Sequence, residues 1–143
     1  MNFDIEVTSR CDQQERSAIL DPLIEYNIAK AGDIDHIPLN VLLRIDDKVV
    51  GGLWGRTAYC WLCIELLYLP EQLRGQGVGR TMVAMAEAEA VSRGCQNSWL
   101  DTHEFQARGF YESIGYCCFG ELPDYPPGFA RYFMKKDLSR DQS

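Results

Sequence analysis

The chain has 143 residues, 46% of them hydrophobic and 24% charged, and carries a net charge of −7. That length suits one domain around a single core and leaves no room for a second of ordinary size. The acidic balance argues against a nucleic-acid partner, which calls for a basic patch; no run approaches the roughly 18 apolar residues of a membrane span; and the opening Met1-Asn2-Phe3-Asp4-Ile5-Glu6 lacks a basic stretch followed by an apolar one, so a cytoplasmic protein is expected.

Residues 2–8 alternate between apolar and polar and predict a strand. From Asp12 to Ala31 the apolar residues Ile19, Leu20, Leu23, Ile24 and Ile28 recur at helical spacing, Pro22 starts or kinks a second helix, and Gly32 ends the run. Residues 41–45 and 49–54 read as two strands about the turn Asp46-Asp47, and residues 59–69 as a third. Met82, Val83, Ala86 and Ala90 mark one face of a helix that Gly94 terminates, with alanines small enough for close packing on a sheet. Residues 98–102 form a strand, 105–113 a helix ending near Gly115, 116–122 a strand, 124–128 a turn and 131–134 the last strand, before a polar tail from 137. The expected fold is a single α/β domain over residues 1–138 with a flexible tail at 139–143. Its mixed central sheet is flanked by helices in the order strand, two helices, three strands, helix, strand, helix, two strands.

The segment joining the third strand to the following helix, Leu69-Pro70-Glu71-Gln72-Leu73-Arg74-Gly75-Gln76-Gly77-Val78-Gly79-Arg80-Thr81, has the layout of a backbone anion cradle. Its glycines permit sharp turns and close approach to a ligand. The N–H groups left unpaired where a helix begins, with the helix dipole, Arg74 and Arg80, favour a phosphate or diphosphate. A phosphate-binding P-loop needs a Lys before its Ser or Thr, where this chain has Arg80 before Thr81, and the dinucleotide fingerprint needs a different glycine spacing. The bland alternative is a glycine-rich turn that only joins strand to helix.

Six cysteines stand at positions 11, 60, 63, 95, 117 and 118. Without a sign of export, free thiols are expected rather than disulfides. Cys60 and Cys63 have the spacing of a redox or zinc motif but lie in a strand, where residues three apart point to opposite faces. Only His36 and His103 could add imidazole ligands, and no metal site is expected.

The run Arg74-Gly75-Gln76-Gly77-Val78-Gly79 resembles the acyl-CoA signature of the GCN5-related N-acetyltransferase family, (Gln/Arg)-x-x-Gly-x-(Gly/Ala). A second signature of that family, an Ala followed four residues later by Tyr and then by Gly and an aromatic, is matched by Ala107, Tyr111, Gly115 and Tyr116. The resemblance implies acetyl-CoA as co-substrate, held by Leu67, Tyr68 and Leu69 at the strand end, by residues Arg74, Gly75, Gln76, Gly77, Val78, Gly79 and Arg80 of the cradle, and by Ala107, Phe110 and Tyr111. Glu104 stands where many relatives carry an Asn near this helix start.

The implied reaction is direct acetyl transfer to an amine in a ternary complex. The amine must lose a proton to attack, the carbonyl oxygen gains charge that a backbone N–H near residues 67–69 could stabilise, and the departing thiolate needs a proton. Tyr111 is expected to supply that proton and Glu65 to act as base, with Asp101, His103, Glu104 or a water as alternatives. A capping role competes for Asp101 and an exposed-loop role for His103. Cys63 or Cys95 as an acyl carrier lacks a nearby His. The acceptor, a small-molecule or peptide amine, is expected near Tyr26, Asp33 and His36 and the late turn at 121–125. A homodimer through a sheet edge or the late strands fits this reading. The competing functions are a CoA-binding sensor without turnover and a nucleotide-binding domain.

Overall fold

Asp12 starts the first helix by a reciprocal cap. Its carboxylate accepts from Glu15 N at 2.8 Å, and its own N–H donates to Glu15 Oε1 at 3.1 Å. The helix, α1 (Gln13–Ala31), runs unbroken through Pro22 and closes at Gly32, whose N–H donates to Ile28 O at 2.9 Å with φ of 85°. Pro22 therefore starts no second helix: it removes one N–H from the ladder, and the turns on either side carry the helix past it. Residues 2–8 form no strand. A strand exists only by pairing with a neighbour, and among the described residues no ladder reaches them.

The computed structural model describes residues 1–139, which divide into two units, Met1–Ile34 and the residues from Asp35 onward. No helix among them is long and apolar enough to cross a membrane. The second unit is a six-stranded mixed sheet in the order β1-β2-β3-β4-β6-β5, built from β1 (Ile37–Ile45), β2 (Lys48–Ala58), β3 (Trp61–Tyr68), β4 (Asn97–His103), β5 (Cys117–Leu122) and β6 (Arg131–Asp137). Only β3 and β4 pair in parallel, because α2 (Val78–Ser92) crosses over between them. Leu39, Leu53, Leu62, Ile64, Leu100 and Met134 of the sheet and Met82, Val83, Ala86 and Ala90 of α2 form the buried core. The predicted alanine face is the face that packs.

Two tight turns organise the first three strands: Asp46-Asp47 between β1 and β2, and Tyr59-Cys60 between β2 and β3, all four residues at positive φ. Cys60 thus sits exposed in a turn and Cys63 buried in β3, so the two thiols form no common site. Among the described residues no group of three or more His, Cys, Asp or Glu is arranged to hold a metal ion. Strand β6 runs further than predicted, since Lys135, Lys136 and Asp137 continue the ladder with Trp99, Ser98 and Asn97, and Leu138 is buried behind it. Of the predicted tail, residues 140–143 lie outside the described residues.

Candidate active site

Strand β3 carries a bulge at Glu65. Leu66 faces Trp54 on β2 and Ile64 faces Gly55, which leaves Glu65 as the extra residue. A side chain at Gly55 would lie 2.4 Å from Cys63 O, so only glycine lets β3 pass there, and Asn40 Oδ1 accepts from Gly55 N at 3.2 Å. The bulge shifts the alternation by one: Leu62 and Ile64 face the core before it, Leu67 and Leu69 after it.

The ladder between β3 and β4 spans Trp61 to Ile64 on one strand and Asn97 to Leu100 on the other, and then stops. Beyond it β3 remains paired only to β2, and β4 only to β6. The two central strands therefore part at Glu65 and Asp101, leaving main-chain groups along the edge of β3 without a neighbouring strand. The cradle begins at the end of that edge.

There a 3-10 turn (Glu71–Leu73) leads through extended Arg74 to Gly75 and Gly77, at φ of 75° and 83° with nothing within 4 Å of an added Cβ. Helix α2 opens with Thr81 N donating to Gly77 O at 3.0 Å, so the N–H groups of Val78, Gly79 and Arg80 have no place in its ladder. The side chains divide the labour differently from the sequence expectation. Arg74 Nε donates to Leu69 O at 3.0 Å and Gln76 Nε2 to Gln72 O at 2.9 Å, bracing the loop against itself. Gly79 is buried on its Cα side in α2, where a Cβ would meet Leu69 Cδ1 at 3.2 Å and Phe110 Cζ at 3.3 Å. Arg80 reaches Ser113 O at 3.5 Å and lines a cavity of about 360 Å³ with Glu87, Gly115 and Lys136.

Helix α3 (Arg108–Ser113) is shorter than predicted because Gln106 turns its side chain back to accept from His103 N at 2.8 Å and Thr102 Oγ1 at 3.3 Å, holding the preceding residues in a turn. Tyr111 N donates to Ala107 O at 3.1 Å, which sets these two residues on one face as their spacing predicted. Tyr111 is 6% exposed. Every fully buried side-chain nitrogen or oxygen among the described residues has a hydrogen-bond partner, whereas the Tyr111 hydroxyl accepts and donates none among them, so its tip opens to accessible space. Burial, with a smaller contribution from the negative charge of Asp101, pushes its pKa up to about 12.

The candidate bases are held in distinct ways. Glu65 forms an ion pair with Arg56 of β2. Asp101 pairs with Arg131 at 2.6 Å rather than capping the following segment, and Glu104 accepts from the Tyr132 hydroxyl at 3.1 Å. His103 Nδ1 lies 2.9 Å from Tyr125 O, and its ring stacks on Phe105 with centroids 5.1 Å apart. Burial raises the pKa of the Cys63 and Cys95 thiols, which keeps both in the weakly nucleophilic protonated form. Arg56, Gly55 and Arg131 were not anticipated. The family resemblance implies a bulged, splayed strand matched to residues 67–69, whereas the bulge falls at Glu65, for which the isolated glycine inside a strand pattern was the available signal.

Residues 6–116 match the family model described as acetyltransferase (GNAT) family. The chain belongs to that family. It is 40% identical over 137 residues to an acetyltransferase of Agrobacterium fabrum, covering 95% of this chain and 98% of that protein. It is also 40% identical over 92 residues to the blasticidin-S acetyltransferase of Streptomyces morookaense, covering 64% of this chain and 68% of that one. The crystal structure of an acetyltransferase from Agrobacterium tumefaciens superposes with a TM-score of 0.87 at 40% identity, over 96% of this chain and 99% of the other. Acetyltransferases of the same fold at lower identity have been solved with coenzyme A or acetyl-CoA bound.

Proposed function

We propose that this GNAT acetyltransferase moves the acetyl group of acetyl-CoA to an amine of a small molecule by direct attack, in the cytoplasm, without an acyl-enzyme. Three features support this reading together: the parting of β3 from β4, the unladdered N–H groups of residues 78–80, and the Tyr111 hydroxyl, which has no partner among the described residues and feels the charge of Asp101 where the strands part. The amides and the dipole of α2 suit a diphosphate. The free edge of β3 at Leu67, Tyr68 and Leu69 suits the amide-bearing arm of the cofactor, which can hydrogen-bond along a strand edge as a further strand would. Phe110, seated against Gly79 and Tyr111, supplies an apolar wall beside it.

In this reading Glu65 takes a proton from the acceptor amine directly or through a water. The amine nitrogen bonds to the thioester carbonyl carbon, charge builds on the carbonyl oxygen near the β3 edge, and the C–S bond breaks. A phenol held near 12 stays protonated at neutral pH. Its full transfer to a thiolate, whose conjugate acid has a pKa of about 8.5 in an ordinary thiol, is uphill by roughly 5 kcal/mol. Tyr111 therefore serves as a hydrogen-bond donor to the departing sulfur, and solvent completes the protonation.

The similarity to a blasticidin-S acetyltransferase makes amine-bearing antibiotics the first acceptors to try. Thiol release from acetyl-CoA, followed with a chromogenic disulfide, is expected to accelerate with at least one of blasticidin S, aminoglycosides, polyamines or amino-terminal peptides. Tight CoA binding by calorimetry with no amine-dependent release across that panel would replace transfer with a sensing role.

A further inference from the structure

We propose that Tyr116 is a positioning residue: clamped by Ser98, Glu87 and Lys136, it fixes the ring of Tyr111 at the departing sulfur. The proposal rests on the assignment of Tyr111 as the group that meets that sulfur. Nothing among the described residues holds the Tyr111 hydroxyl, so the aim of this side chain is set by its ring contacts and backbone. Its helix, α3, has six residues and is too short to be rigid by itself.

Tyr116 supplies the missing anchorage. Its N–H donates to Tyr111 O at 3.0 Å, and its ring meets that of Tyr111 edge-on, with centroids 5.8 Å apart and planes at 70°. Tyr116 is 3% exposed, and its hydroxyl is saturated. It donates to Glu87 Oε2 of α2 at 2.9 Å and lies 2.7 Å from Ser98 Oγ of β4. The single phenolic proton is spent on Glu87, so the serine hydroxyl is the donor to Tyr116. Lys136 of β6 donates to Glu87 Oε1 at 3.0 Å, completing a chain in which each proton points toward the carboxylate. The chain ties α2, β4 and β6 to one aromatic ring. The aliphatic end of Lys136 reaches Glu87 past Gly115, where an added Cβ would stand 3.1 Å from Lys136 Cε. Satisfied buried networks of this kind hold a group in one orientation, and a misplacement of about 1 Å near reacting atoms costs up to about 100-fold in rate.

Tyr116→Phe keeps the ring and removes its tether; Glu87→Gln keeps the volume and weakens the same tether. Each is expected to lower kcat about tenfold or more at a temperature where the protein is fully folded, with KM for acetyl-CoA changed less than twofold. In a Tyr111→Phe background the Tyr116→Phe change is expected to cost little more, because the aim of a missing hydroxyl no longer matters. Equal losses from Tyr116→Phe in both backgrounds, or unchanged kcat in the single variants, would overturn the positioning role while leaving the assignment of Tyr111 intact. A Tyr111→Phe enzyme as fast as the parent would remove that assignment and this proposal together.

Discussion

Arg56 and Glu65 face each other across the bulge at which β3 leaves β4. Their side chains are 33% and 38% exposed, and an ion pair so open to solvent adds at most about 1 kcal/mol to stability. The bulge turns a carboxylate outward at the mouth of the parted strands without making the fold depend on it.

Glu65→Gln separates the two roles this residue could have. As a base it would take the acceptor's proton, and its loss is expected to lower kcat/KM by about 10²- to 10⁴-fold while the urea midpoint corresponds to a change of no more than about 1 kcal/mol. A full-rate enzyme with Gln at this position would transfer the task to Asp101 or to water.

Tyr111 ties the fold to pH. Its phenol is held neutral with a pKa near 12, above the ordinary value of 10, so the folded chain keeps a proton that the unfolded chain has lost between those values. This contribution is complete below about pH 10 and disappears as pH rises toward 12, at most roughly 3 kcal/mol. Tyr116, also raised by burial, adds to the same decline. Denaturation curves from pH 9 to 12 are expected to show a shallower loss for Tyr111→Phe than for the parent, by one proton. Parallel curves would show that Tyr111 titrates normally.

The two kinds of glycine in the cradle are expected to fail differently. Gly77 has open space around it but a left-handed backbone, so Gly77→Ala strains the turn and misaims the helix-start amides, at a cost of about 1–2 kcal/mol. Gly79 lies in helical backbone with tight space, so Gly79→Ala needs Leu69 and Phe110 to give by a few tenths of an ångström, and after the better helix propensity of alanine the net cost is about 0–2 kcal/mol. Calorimetry with CoA and thermal melts should therefore show Gly77→Ala losing cofactor affinity more than its stability loss implies. Gly79→Ala should lower the melting temperature first. The reverse order would contradict the packing of Gly79.

Much of this was legible because it is local. The spacing of Met82, Val83, Ala86 and Ala90 states the buried face of α2, and Ala107 with Tyr111 states a shared face of α3. The glycines announced the cradle but not their separate tasks, since φ at Gly77 and the contacts of Gly79 depend on elements far apart in the chain. Residues 2–8 misled because alternation supplies a face and not a partner. The pairs Arg56 with Glu65 and Asp101 with Arg131 were invisible for the same reason, since strand order and register set them and no single segment encodes either.

Arg93 offers a test of the scaffold apart from the chemistry. At the end of α2 its Nη1 donates to Pro38 O and to Thr57 Oγ1, each at 3.1 Å, and to Ile37 O at 3.4 Å, while Nε pairs with Glu89 at 3.0 Å. One guanidinium thus closes the helix end onto β1 and β2, and it is the pairing of β2 with β3 that carries the bulge. Charge-assisted bonds are among the stronger ones, but the Ile37 and Pro38 carbonyls are open to water, so the largest loss on removing the donor falls on the buried Thr57 hydroxyl. Arg93→Met is expected to cost about 1–2 kcal/mol in urea denaturation. Arg93→Lys should recover only part, because an ammonium cannot span three acceptors in the same geometry. Both variants should retain the parent's kcat while folded, since the guanidinium acts on the frame and the reacting atoms lie at the opposite end of α2. A methionine variant within about 0.5 kcal/mol of the parent would mean that solvent replaces these bonds at no net cost.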